Sequence, residues 1–399
     1  MQLLYLSLIF FICILDVKRY KTFLTPITVL FFPVIVLVFI NNIFLPWDYY
    51  KIDEFSIKLI FLTSIIFLFS SIFFKISKKY KIEIKDINNK CIEIICILTL
   101  IMLICRFFFD IWTLGGLEKF ELLKLNRKNT LISNFVEVFS IFIPVLLVYK
   151  SKKKKIIFIF FIFFQLLFQN KNRVFILILQ ALFLIDIFFP VKIKKILKFL
   201  FWIIIIFFLI YNLKGFSQAG INLNLKSHNI QIIEHLYVYL VSPLINIKNF
   251  YEKSLIEGNI AYIFSPLIGI INKFSTKNIK QPNILYFPYF ISERGHISNV
   301  GSIFGEVLLV NNIIIYILFF IFLSGGSYYI FNKRKKNIYY AIFSSFILAT
   351  LSLSYFSNIY NLIFVWKRIF IITVIIFIKN FLKIISKNGD RDEKNIYFR

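Results

Sequence analysis

The chain is short of acid. Its 399 residues carry 20 Asp and Glu against 47 Lys and Arg, for a formal net charge of +27. Histidine occurs three times and cysteine four. Cys13, Cys91, Cys96 and Cys105 all lie inside or at the edge of apolar runs. They have neither metal-ligand spacing nor an obvious disulfide partner, and read as small core residues. There is no P-loop, no G-x-S-x-G, no H-E-x-x-H and no Cys/His cluster. These absences remove the signatures of P-loop nucleotide hydrolysis, nucleophile-elbow hydrolases and zinc peptidases.

What is present is apolar. The chain is 59% hydrophobic and 20% aromatic, with a mean hydropathy of +0.80. A soluble domain needs a polar shell and rarely reaches such values, so repeated apolar runs of about 20 residues argue for an all-α, polytopic membrane bundle. Heavy use of Ile, Phe, Lys and Asn fits a low-GC genome, so single Phe residues carry little weight. Spans are expected near 2–15, 23–45, 55–75, 91–113, 131–149, 156–169, 174–190, 196–213, 298–324, 338–355 and 360–386, about eleven within one continuous domain, 1–399. The first is short and lacks a basic n-region, which makes it a poor signal peptide.

Placement of the basic residues explains the net charge. Segments 18–21, 75–90, 150–155, 192–198, 333–336 and 379–399 hold 28 of the 47 Lys and Arg, and they fall in alternate gaps between spans. The positive-inside rule puts them in the cytoplasm, with the N-terminus outside and a cytoplasmic tail at 387–399. Topological anchoring then accounts for the charge, and nucleic acid is not expected as a partner. One long loop, 214–297, lies outside. Its "SPLINI" (242–247) and "SPLIGII" (265–271) are too short to span and are expected as interfacial or re-entrant helices.

Ionisable groups inside such a chain cost roughly 2.5–3.5 kcal/mol each at the bilayer centre, so they mark structural pairs or functional cavities. Arg106 and Asp110 stand one helical turn apart and are expected to pair. Glu137 lies about two turns into the fifth span. Glu306 lies about eight residues into the ninth, roughly 12 Å deep at 1.5 Å per residue. Lys367 and Arg368 reach a similar depth in the last span, and the turn "NKNR" (170–173) adds Lys171 and Arg173. With this topology the charge gathers towards the outer face. A transporter is expected instead to carry such groups at the midplane on broken helices.

The stretch "RGHISNVGSIFGEVLLV" (294–310) runs from polar to apolar without a break. A regular helix from His296 places Asn299, Ser302 and Glu306 within about 60° of one another. Gly301 and Gly305 form a G-x-x-x-G pair on the other side, where another helix can approach closely. The plain alternative is that Glu306 pairs with Lys367 or Arg368 to hold the bundle together.

Arginine suits diphosphate oxygens because its planar fork donates bidentate hydrogen bonds and stays charged. Arg127, Arg173, Arg294 and Arg368, with Lys171 and Asn299, are therefore the candidates for substrate binding. Glu306, His296 and Glu293 are candidates for the base that takes a proton from a sugar hydroxyl, with Arg294 beside them. "DRD" (390–392) matches a D-x-D, but in a charged tail, and Asp48, Asp53 and Glu54 of the first outer loop form an alternative acidic site.

In span number, in the large outer loop before the last three spans and in its outer arginines, the chain resembles the Wzy-type oligosaccharide repeat-unit polymerases of O-antigen and capsule assembly. "NKNRVFILIL" (170–179) is similar to that family's Asn/Arg-bearing start of a central helix. "HISNVGSIFGEVLLVNN" (296–312) is similar to its polar patch after the large loop. The resemblance implies a GT-C-like membrane fold in the bacterial cytoplasmic membrane, active at the periplasmic or exterior face. It implies transfer of a growing glycan from undecaprenyl pyrophosphate to an incoming lipid-linked repeat unit, with no metal, cofactor or nucleotide sugar. By position, the substrate-holding role falls on Arg173 and Arg294, then Arg127, and the loop histidine on His296 rather than His228 or His235. Partners implied are the undecaprenyl-pyrophosphate-linked oligosaccharides and membrane lipids, with a chain-length regulator and a flippase as protein partners. The outward N-terminus and the span count depart from the pattern. An O-antigen ligase, another lipid-sugar transferase, a lipid-linked oligosaccharide flippase and a structural component of an export complex are the competing readings.

Overall fold

In a computed structural model the described residues of the protein are all-α apart from one two-stranded hairpin. The structure describes residues 1–44, 49–74, 90–113, 131–149, 151–168, 171–192, 194–198, 201, 205, 208, 212, 225–274, 289–293, 295–298 and 300–396. Among them, Glu54–Phe73, Lys90–Thr113, His228–Glu257 and Ile313–Lys333 are long and apolar enough to cross a membrane. Pro26–Asn42, Leu131–Leu147 and Ile338–Ser354 are shorter apolar helices. The helices bear large exposed apolar side chains such as Phe73, Trp112 and Phe322, as a lipid-facing surface requires.

The chain divides into two compact units, each drawing on distant stretches of sequence. The first takes Met1–Ile76, Phe189–Tyr329 and Thr350–Leu362. The second takes Ser77–Phe188, Ile330–Ala349 and Ile363–Arg399.

The first unit begins with α1 (Gln2–Tyr20), α2 (Pro26–Phe44) and α3 (Glu54–Phe73). Thr25 caps α2, its hydroxyl accepting from the Thr28 amide with Pro26 in the first turn. Asp53 caps α3 by accepting from the Phe55 amide at 2.8 Å. Buried rings form the core: Phe31 meets Phe67 and Phe304, and Phe304 stacks on Phe320. Asp16, at the end of α1, is buried and accepts from the hydroxyls of Ser71 and Tyr328.

Within 214–297, the described residues 225–274 depart from the expected loop with short interfacial pieces. Leu225–Glu257 form one 33-residue helix, α8, with Pro243 inside it, and Ala261–Phe274 form α9. Ser242, Asn246, Asn249 and Phe250 recur at helical spacing on α8. Along it, the Ser242 hydroxyl meets that of Ser298 at 2.8 Å, and the Asn246 amide donates to the Val300 carbonyl at 2.9 Å.

The expected span 298–324 is likewise two elements. Ile303–Leu308 form a buried six-residue helix, α10, and Ile313–Lys333 form α11. The break is "NN". Asn311 adopts a left-handed φ of 54°, a conformation asparagine tolerates, and so ends α10. Asn312 then caps α11, its side chain accepting from the amides of Ile314 and Ile315.

The second unit holds α4 (Lys90–Thr113), α5 (Leu131–Phe139), α6 (Lys152–Leu167), α7 (Lys171–Phe188) and α13 (Ile363–Ile396). Helix α12 (Ile338–Ser354) contributes its residues up to Ala349 here and the remainder to the first unit. Helix α5 tightens into a buried 3₁₀ segment, Ser140–Leu147, at Pro144. In a 3₁₀ turn the amide three residues on would satisfy the Ile141 carbonyl, but that residue is Pro144, which has no N–H. The Gln180 side chain donates to Ile141 instead, at 2.8 Å.

Candidate functional site

Two polar constellations stand out, one in each unit. In the first unit, β1 (Tyr289–Phe290) pairs antiparallel with β2 (Ile297–Ser298). The connection is a tight turn in which the Gly295 amide donates to the Ser292 carbonyl, with Gly295 at φ 81°. Glycine adopts that angle at no steric cost, as in three-residue hairpins with a bulge. The hairpin docks on Tyr49 and Tyr50, whose amide donates to Ile291 at 2.9 Å.

His296 is therefore in the hairpin, immediately before β2, and not on the helix that carries Glu306. The expected arc from His296 to Glu306 is broken because Ser298 accepts from the Val300 amide and Ser302 caps α10 only afterwards. The His296 ring stacks on Tyr49 at 5.2 Å, with Nδ1 2.7 Å from the Ser292 hydroxyl and Nε2 3.0 Å from Glu234. The Ser292 oxygen also accepts the His296 backbone amide. Its proton is then directed to Nδ1, which leaves the Nε2 proton for Glu234. Both ring nitrogens are committed, so His296 takes a substrate proton only if one partner yields.

Glu306 is buried on α10 and accepts from the Asn361 side-chain amide, with the Asn358 backbone and side chain as further donors. Lys367 and Arg368, its expected partners, bind Glu137 instead. Burial without a paired cation pushes the Glu306 carboxyl up to about 8. The G-x-x-x-G pair does receive another helix. Phe250 of α8 packs on Gly301 and Gly305, and Ile247 also reaches Gly305.

In the second unit, Glu137 on α5 draws in cations from two other helices. Its carboxylate accepts from Arg173 of α7 at 2.6 Å and from Lys367 of α13 at 2.7 Å. Lys367 also donates to Asn134, one turn before Glu137. Arg368 donates from Nε to the Glu137 carbonyl at 2.9 Å and from Nη2 to the Ser140 hydroxyl. Phe364, one turn before Arg368 on α13, lies 5.2 Å from the Arg173 guanidinium and 5.0 Å from that of Arg368. Arg368 is 1% exposed, and its Nη1 is buried with no hydrogen-bond partner. Arg173 and Lys367 keep 21% and 24% of their side chains exposed, so the network opens on their side. Among the described residues, two cations thus share one carboxylate while a third, Arg368, binds the backbone beside it, an arrangement suited to holding an anion.

Of the residues singled out from sequence, Arg173 and Arg368 meet in this network, while His296 and Glu306 belong to the first unit. Arg127, Arg294 and Asn299 lie outside the described residues, as does the side chain of Lys171, which opens α7. Arg106 pairs with Asp110 at 3.3 Å, as its spacing implies. In the alternative acidic site, Asp53 caps α3 and Glu54 pairs with Lys58, while Asp48 lies outside the described residues. Among the described residues no three His, Cys, Asp or Glu side chains gather as metal ligands. Glu234, Ser292, Asn358 and Asn361 were not legible as site residues. Each is an ordinary polar side chain whose partner is between four and sixty-two positions away.

Compared with known protein families, curated proteins and solved structures, the chain matches none.

Proposed function

We propose that this chain polymerises undecaprenyl-pyrophosphate-linked oligosaccharide repeat units of an O-antigen or capsule at the outer face of a bacterial cytoplasmic membrane. The finer architecture belongs to the proposal: about eleven spans in a GT-C-like arrangement, with 214–297 outside and 387–399 inside. The observation that carries it is the excess of cations around Glu137 in an apolar helical chain. A diphosphate on a lipid carrier supplies the missing negative charge, and guanidinium forks match its oxygens.

In the reaction, an acceptor hydroxyl oxygen attacks the anomeric carbon of the donor glycan. The bond from that carbon to the phosphate oxygen breaks, and undecaprenyl pyrophosphate leaves with the electron pair. Arg173 and Arg368 stabilise the charge that develops on the leaving group; the family resemblance assigns the same work to Arg294 and Arg127, and the sequence offers Lys171. The acceptor proton passes to a base. The sequence offers Glu306 and His296 for that base, and both ring nitrogens of His296 are committed.

Arg173→Ala and Arg294→Ala strains test this reading. Both should accumulate single lipid-linked repeats and lack long chains. Long glycan at normal membrane levels of both variants refutes the arginine assignment.

A further inference from the structure

The Glu137 network is oddly composed for a structural clasp. A buried ion pair is stable when its charges balance and every donor is used. Here Arg173 and Lys367 converge on the two oxygens of one carboxylate, and Arg368 takes the backbone carbonyl beneath. Among the described residues the third cation has no carboxylate of its own, and its Nη1 is buried without a partner. A tetrahedral phosphate offers three oxygens where the carboxylate offers two, so it can serve Arg173, Lys367 and the orphan Nη1 together.

We propose that Glu137 is an exchangeable counter-ion: its carboxylate occupies a phosphate site formed by Arg173, Lys367 and Arg368, and swings aside when a phosphate or diphosphate group enters. The inference rests on reading this network as the anion-gripping part of the protein. It adds Lys367 and Glu137 to that part and gives them opposite roles. Lys367 contributes affinity, while Glu137 keeps the cations paired when the site is empty and raises the threshold for a ligand. A singly charged anion cannot repay the lost pairing, whereas a diphosphate can. The exchange thus selects for the more highly charged group.

The test uses the full chain in nanodiscs of zwitterionic lipid, titrated with inorganic pyrophosphate by calorimetry. Wild type should bind weakly and Glu137→Gln at least tenfold more tightly, about 1.4 kcal/mol. Lys367→Ala should bind at least tenfold more weakly than wild type. Should Glu137→Gln fail to fold, Glu137→Asp retains the charge on a stem too short to bridge both cations, and should bind more tightly than wild type. A repeat in phosphatidylglycerol discs separates the sources of phosphate. If pyrophosphate binding disappears there, a lipid headgroup already fills the site. Equal or weaker binding by both Glu137 variants overturns the exchange, as does the absence of pyrophosphate binding by every form in zwitterionic discs. If the variants bind as expected but the chain never lengthens a glycan, the polymerase reading falls and the exchange stands. Lengthening without discrimination among the variants gives the converse.

Discussion

Replacing Gly301 by alanine probes the packing that holds the hairpin and α10 against α8. The backbone of Gly301 lies outside the left-handed region, so alanine carries no conformational penalty there. Its cost is steric. An added Cβ would lie 2.6 Å from Cε2 and Cζ of Phe250 and 2.8 Å from Cγ of Glu306. Phe250 is fully buried and cannot swing away, so α8 or α10 must shift. Overpacking of this kind costs about 1–3 kcal/mol, or several degrees in Tm. Gly305→Ala should cost less, because its nearest contacts are 3.1 Å to Phe250 and 3.3 Å to the Ile247 backbone. Thermal unfolding of the purified variants measures both. Pairing Gly301→Ala with Phe250→Leu should recover part of the loss as a favourable coupling energy. An unchanged Tm for Gly301→Ala, or a larger loss at Gly305, refutes the close approach.

Three further outcomes follow from the same geometry. The Glu306 carboxyl, held near 8 in the fold against an ordinary 4.5, binds its proton more tightly folded than unfolded, so its stabilising contribution is present below about 4.5 and is lost as pH rises through 8. Tm against pH should therefore fall over that window in wild type and lose this component in Glu306→Gln; identical slopes contradict the buried uncharged acid. Asn312→Ala should cost about 1 kcal/mol by removing the cap of α11, while Asn311→Gly should be tolerated at its positive φ, both read as shifts in Tm. In nitrogen NMR spectra of labelled protein, Ser292→Ala should alter the Nδ1 resonance of His296 and Glu234→Gln the Nε2 resonance, and silence at both nitrogens contradicts these two hydrogen bonds.

The helices were legible where apolar runs had clean ends. Expectations of 55–75, 91–113 and 338–355 meet helices at Glu54–Phe73, Lys90–Thr113 and Ile338–Ser354. Residues 225–257 were not, because Pro243 and frequent polar residues imitate a loop. The helix buries Ser242 and Asn246 against the segment after the hairpin, a tertiary gain that composition does not display. The span 298–324 failed for the opposite reason. Its flanks are apolar enough to conceal two asparagines, one ending a helix and the next beginning another. In the candidate site, Arg173 and Arg368 could be named from chemistry alone. Their convergence on Glu137 could not, since three segments separated by up to 231 positions supply the network.

The most direct measurement is elongation by the purified protein in liposomes supplied with an undecaprenyl-pyrophosphate-linked repeat unit and nothing else, followed by separation of the glycans by length. Wild type should yield chains longer than one repeat without any nucleotide sugar, and Arg173→Ala should yield none. A product confined to single repeats with the wild-type protein would contradict the account.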